Sequence, residues 1–184
     1  IYKRFQHKWQ EMLKINHISF GNIFHADLKI DKKLFNKIKK YSIRKHRDVK
    51  TTFYEDRPFP QDLRDEIINY LETYITEVGK LLEKKSHIFK KIWIQKYEIA
   101  DYHNLHMHEL KQNSYSFVLY IDGGPKSGNT RFYNLGYPYI HYDRYLETPP
   151  VAGKCVVFFG ALPHESVPSR DNKKIIVSGN IEYS

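Results

Sequence analysis

The chain has 184 residues, of which 41% are hydrophobic, 15% aromatic and 28% charged, with a formal net charge of +9; this argues against a disordered chain and fits one domain with a sizeable core. No apolar run approaches the roughly 20 residues that cross a bilayer, and the opening Ile1-Tyr2-Lys3-Arg4-Phe5 lacks the apolar stretch of a signal peptide, so a cytoplasmic protein away from membranes is expected. The single cysteine, Cys155, excludes an internal disulfide and fits a reducing compartment.

In the first half, Leu34, Ile38 and Tyr41 recur at helical spacing. After Pro58 and Pro60, the series Leu63, Ile67, Ile68, Leu71, Tyr74, Ile75, Val78, Leu81 and Leu82 marks a longer amphipathic helix. The positive charge raises the question of an acidic partner such as nucleic acid, but the pairs Lys32-Lys33, Lys39-Lys40, Lys84-Lys85 and Lys90-Lys91 are mostly spaced as polar helix faces, and solvation is the simpler reading. From Lys90 onward the texture changes to short β-rich runs: Ile92 to Tyr97, Ser114 to Asp122, Asn129 to Tyr133, Lys154 to Gly160 and Lys174 to Tyr183. Gly123-Gly124-Pro125, Ser127-Gly128-Asn129, Pro149-Pro150 and Ser169 to Asn172 punctuate them. The expected fold class is therefore mainly β with flanking helices (α+β). It is read as a single domain over 1–184, with 1–90 as helical support and 91–184 as a sandwich or barrel carrying any site.

Histidine is the conspicuous reactive side chain, and Tyr102-His103-Asn104-Leu105-His106-Met107-His108-Glu109 holds three of the ten. On an extended strand, residues i and i+2 share a face, so His106 and His108 can reach one metal ion while His103 lies on the other parity. Two histidines and one carboxylate are the usual donor set for non-haem iron, and Glu109 could supply the carboxylate if the strand bulges. A third ligand has to come from far along the chain, and His164, after the apolar run Cys155 to Phe159, is the candidate. Ten residues later, Lys174 opens the apolar run Ile175-Ile176-Val177. A lysine entering a buried strand needs an anionic partner, which a bound dicarboxylate would provide.

Taken together, these residues resemble the superfamily of 2-oxoglutarate and Fe(II)-dependent oxygenases, in particular its small phage and bacterial members and its prolyl 4-hydroxylase-like branch. The resemblance spans about residues 92 to 183. It rests on His106-Met107-His108, Phe117-Val118-Leu119-Tyr120, Gly128-Asn129-Thr130-Arg131-Phe132, Pro149-Pro150-Val151-Ala152-Gly153, Val156-Val157-Phe158-Phe159, His164, and Lys174 through Asn180.

The resemblance implies a double-stranded β-helix (jelly-roll, cupin-like) with an N-terminal helical buttress. It makes His106, His108 and His164 the ligands of Fe(II). Lys174 becomes the partner of the distal 2-oxoglutarate carboxylate, with Tyr120 as a second donor there and Asn180 among the cosubstrate-binding residues. With O2 as second cosubstrate, the implied activity is hydroxylation or another oxidation, coupled to decarboxylation of 2-oxoglutarate to succinate. The chain departs from the family pattern at two places: His108 stands where most relatives have Asp or Glu, which keeps Glu109 open as the second ligand, and Lys174 stands where arginine is commoner. By analogy the substrate is peptidyl, a free amino acid or another small molecule. The loops that would select it, Gly123 to Asn129 and Asn134 to Thr148, carry no readable code, and Tyr133, Tyr137, Tyr139, Tyr142 and Tyr145 form either a lid or a packed loop. Two other readings remain: a cupin-like metal- or ligand-binding module without oxygenase activity, and an oxygenase directed at nucleic acid.

Overall fold

In a computed structural model of the chain, residues 13–18, 21–55, 59–135 and 143–184 are described. They form twelve strands and two helices. The strands are β1 (Leu13–Ile18), β2 (Gly21–Asp27), β3 (Lys45–His46), β4 (Val49–Thr51), β5 (His87–Lys96), β6 (His103–His106), β7 (Ser114–Asp122), β8 (Thr130–Tyr133), β9 (Tyr145–Thr148), β10 (Lys154–Phe159), β11 (His164–Ser166) and β12 (Ile175–Tyr183), and the helices are α1 (Lys32–Lys40) and α2 (Gln61–Leu81). An eight-stranded sheet runs β1-β2-β10-β7-β12-β5-β4-β3 and a four-stranded sheet runs β6-β11-β8-β9.

The larger sheet is covered on both faces, which explains why its central strands read as nearly unbroken apolar runs. On β10, Cys155 and Val157 pack with the helices while Val156 and Phe158 pack toward the smaller sheet, and on β7 Leu119 and Tyr120 divide in the same way. Helix α1 starts at Asp31, whose carboxylate accepts from the backbone N–H of Lys33 and Leu34 at 2.9 and 3.0 Å, and it buries Leu34, Phe35 and Ile38. Helix α2 starts after Pro60 and lays Leu63, Ile67, Leu71, Tyr74, Ile75 and Val78 on the same core. Two phenols tie it down: Tyr74 donates to the Phe24 carbonyl at 2.8 Å and Tyr183 to the Ile75 carbonyl at 2.9 Å. Among the described residues, no helix is long and apolar enough to cross a membrane.

The first half of the chain is not helical support alone. β1 and β2 extend the larger sheet beyond β10, and β3 and β4 extend it beyond β5. These strands escape the apolar-alternation signal for a local reason. On β2, His25 and Asp27 face a polar cavity shared with Lys14, Lys154 and Glu147, so the inward positions are not apolar. Tyr137, Tyr139 and Tyr142, as well as Pro58, lie outside the described residues.

Candidate metal centre

Three imidazoles converge between the two sheets. The ligand nitrogens of His106, His108 and His164 lie within 4.8 Å of one another. His106 ends β6, and His164 opens the neighbouring strand β11 as its register partner. His108 lies just past the end of β6, in irregular backbone, where its N–H bonds the Gly160 carbonyl at 2.8 Å. Its convergence thus depends on that anchor, not on a continuous strand as the i, i+2 argument assumes. The rings of His108 and His164 stack at 5.1 Å, and Trp93 packs against His108 at 5.9 Å.

The protonation pattern suits a cation. His106 Nδ1 lies 2.7 Å from the Asn104 carbonyl and His164 Nδ1 lies 2.8 Å from the Leu162 carbonyl. A carbonyl only accepts, so each Nδ1 carries the proton and each Nε2 presents a lone pair. Burial holds the His106 imidazole below its ordinary range. Burial, reinforced by repulsion from His106, takes His108 down to about 4 and His164 well below its usual value. Three neutral imidazoles on one cavity wall form a donor set that divalent first-row metals accept, so the residues fit an Fe(II) site.

Glu109 is not brought to this cluster. Its side chain is exposed and pairs with Lys111 at 2.9 Å.

His103, which strand parity turns away, is brought in. β6 pairs with β11 through His106↔His164 and His103↔Ser166, with a register shift between them. Three residues of β6 thereby span two of β11, and the bulge places His103 on the His106 face. The two rings stack at 4.1 Å, and His103 lines the same cavity as the three convergent histidines. Burial, followed by repulsion from His106, takes it down to about 3.

Lys174 is completely buried. Its Nζ donates to the Gly128 carbonyl and to Ser166 Oγ, both at 2.6 Å, and sits 4.6 Å from the centre of the Tyr97 ring. Desolvation pushes its ammonium down to about 7. Ser166, Tyr97 and Thr130 line the cavity that also holds the imidazoles, which places the lysine behind the wall of that cavity. Tyr120 is also fully buried, and its hydroxyl donates to Thr130 Oγ1 at 2.6 Å. Asn180 is not beside Lys174. Six residues farther along, roughly 20 Å of extended chain, its Oδ1 accepts from Ser116 Oγ at 3.1 Å. Tyr133 and Tyr145 belong to a different group: Tyr133 donates to Glu165 at 2.6 Å and Arg131 sits 4.2 Å over the Tyr145 ring. Sequence reasoning missed Gln95, Tyr97 and Ser166 as cavity residues because none stands in a motif of its own, and His103 because strand parity set it aside.

No protein-family model matches the sequence, and no curated protein matches it at a significant level. Solved structures do match. A prolyl-4-hydroxylase from Pseudomonas putida superposes with a TM-score of 0.62 at 14% identity, covering 90% of this chain and 95% of that one. The viral collagen prolyl hydroxylase of Paramecium Bursaria Chlorella virus-1, in a 2-oxoglutarate complex, gives a TM-score of 0.59 at 16% identity, covering 88% and 96%. An oxidoreductase of the 2OG-Fe(II) oxygenase family from Burkholderia pseudomallei gives 0.56 at 12% identity, covering 98% and 78%. The chain therefore has the fold that these prolyl hydroxylase and 2OG-Fe(II) oxygenase structures share.

Proposed function

We propose that this chain is a 2-oxoglutarate and Fe(II)-dependent dioxygenase built on a double-stranded β-helix, with α1 and α2 as its buttress. His106, His108 and His164 would hold the iron through Nε2 of His106 and His164 and a ring nitrogen of His108. Lys174 would pair with the distal carboxylate of 2-oxoglutarate, with Tyr120 and Thr130 beside it. When bound, the iron and 2-oxoglutarate supply the oxidising power of an O2-dependent hydroxylation, with 2-oxoglutarate decarboxylated to succinate.

The observation that carries this reading is Lys174. A fully buried ammonium whose two hydrogen-bond acceptors are both uncharged is costly, and a dianion entering the cavity relieves that cost. The two acceptors use two of its three donors and leave one for a carboxylate oxygen. The remaining residues of the chain orient and enclose: the two carbonyls fix the tautomers of His106 and His164, and Trp93 and Phe158 shield the imidazoles from water. A peptidyl or amino-acid substrate is favoured by the likeness to prolyl hydroxylases. The all-histidine donor set favours one second reading, a cupin-like metal-binding module without turnover.

Succinate release from 2-oxoglutarate, with Fe(II) and ascorbate and no other substrate, separates the two. Slow uncoupled turnover that disappears in His106→Ala supports the oxygenase. Tight metal binding with no succinate and no 2-oxoglutarate binding supports the module.

A further inference from the structure

Two buried polar side chains, Tyr97 and Gln95, lead to His103, and the first sets the direction of the second. Lys174 Nζ donates to Ser166 Oγ at 2.6 Å and lies 4.6 Å from the centre of the Tyr97 ring. The Tyr97 hydroxyl donates to Gln95 Oε1 at 3.3 Å. With its oxygen engaged there, Gln95 presents Nε2 to His103 Nδ1, also at 3.3 Å. An amide NH2 only donates, so His103 Nδ1 accepts and its proton sits on Nε2. Gln95 and Tyr97 are 3% and 2% exposed, so water does not compete for these bonds.

We propose that this directed chain locks His103 as the Nε2–H tautomer, opposite to His106 and His164. Of the four neighbouring imidazoles, His103 is thereby withheld from the metal and serves as a hydrogen-bond donor to an oxygen acceptor of the ligand in the same cavity. It is a positioning residue for that ligand. The assignment of the cavity as a metal pocket rests on the function proposed above, whereas the tautomer rests on the hydrogen bonds alone.

The test uses the metal-free 184-residue chain labelled with 15N-histidine. Long-range 1H–15N correlation spectra, assigned with single His→Gln variants, distinguish the two tautomers directly. His103 is expected to carry its proton on Nε2, and His106 and His164 on Nδ1. Gln95→Glu replaces the amide donor by an acceptor and should move the His103 proton to Nδ1. Gln95→Met removes the donor at similar volume and should abolish the preference, which serves if the carboxylate is not tolerated by the fold. Zinc is then added as a diamagnetic probe. In wild type it should shift the ligating nitrogens of His106, His108 and His164 and leave the His103 Nε2 proton in place, whereas in Gln95→Glu all four rings should respond.

A proton on His103 Nδ1 in wild type, or a tautomer indifferent to both Gln95 variants, overturns the proposal. So does zinc displacing the His103 proton in wild type. Zinc that moves none of the four rings defeats the metal reading instead, while the wild-type tautomer and its reversal still support the lock.

Discussion

The Nζ of Lys174 lies 2.6 Å from Ser166 Oγ, two residues along the chain from His164, so one short strand carries both the innermost imidazole and an acceptor of the buried ammonium. This is the structural link between the candidate metal end and the candidate carboxylate end of a single cavity.

Lys174→Met should leave metal affinity intact and weaken 2-oxoglutarate severely. Truncating one partner of a buried, hydrogen-bonded charge pair costs about 2 to 5 kcal/mol, or roughly 30-fold to several thousand-fold in affinity. Lys174→Arg should recover part of the loss, limited by the bulk of the guanidinium. Titrations of 2-oxoglutarate with saturating metal, read alongside succinate release, measure both effects. Wild-type affinity in Lys174→Met would remove the cosubstrate assignment.

The same lysine sets a pH dependence of ligand-free stability. Its folded value is lowered from 10.5 to about 7, so between those values the unfolded chain binds more protons than the folded one. Stability should therefore rise with pH from about 7 toward 10.5, as the cost of burying the charge is removed. Lys174→Met should flatten that rise. Chemical denaturation of both proteins at pH 7 and pH 9, without ligand, gives the comparison, and parallel curves would contradict the proposed burial cost.

His106→Ala and His164→Ala should each abolish tight metal binding, with a loss larger than the roughly 10- to 100-fold typical of outer-shell changes. His106 is at the end of a strand and only half-buried, so its variant should keep wild-type circular dichroism. Calorimetry with Fe(II) or Co(II) measures the affinity.

Glu109→Gln should bind metal like wild type, because its carboxylate is exposed and engaged with Lys111 at 2.9 Å. Its effect on stability should stay within about 0.5 kcal/mol, the range of exposed ion pairs. His108→Ala should lose metal. A reversed ranking of the two variants would return the second ligand to Glu109.

Gly128→Ala should be destabilising, by about 1 to 3 kcal/mol for a forced overpacking, because a Cβ there would meet the Val167 carbonyl oxygen at 1.9 Å. Since the Gly128 carbonyl also holds Lys174, 2-oxoglutarate affinity should fall with stability. Thermal melts and the same titration test both outcomes, and a variant unchanged in either would argue against the close approach.

Much of this protein is legible without a structure, where the signal is local. Periodic Leu63, Ile67, Leu71 and Val78 define α2, and the doubly apolar β7 and β10 announce strands buried on both faces. The three convergent histidines are visible as a pair at strand spacing and a distal partner, and Lys174 as a lysine entering an apolar strand, where burial requires a counter-charge. Local periodicity does not decide which strands meet, or where a pairing slips. β1 and β2 join the larger sheet although Lys14, His25 and Asp27 interrupt their apolar pattern, because the space they face is a polar cavity and not core. The bulge opposite His164 and Ser166 exists only in the pairing of two segments about sixty residues apart, and it reverses the parity that would have kept His103 out of the site. The tautomer of His103 is more remote still. It follows from the hydrogen bonds that run from Tyr97 through Gln95, and only the folded arrangement brings Tyr97, Gln95 and His103 within reach of one another in that order.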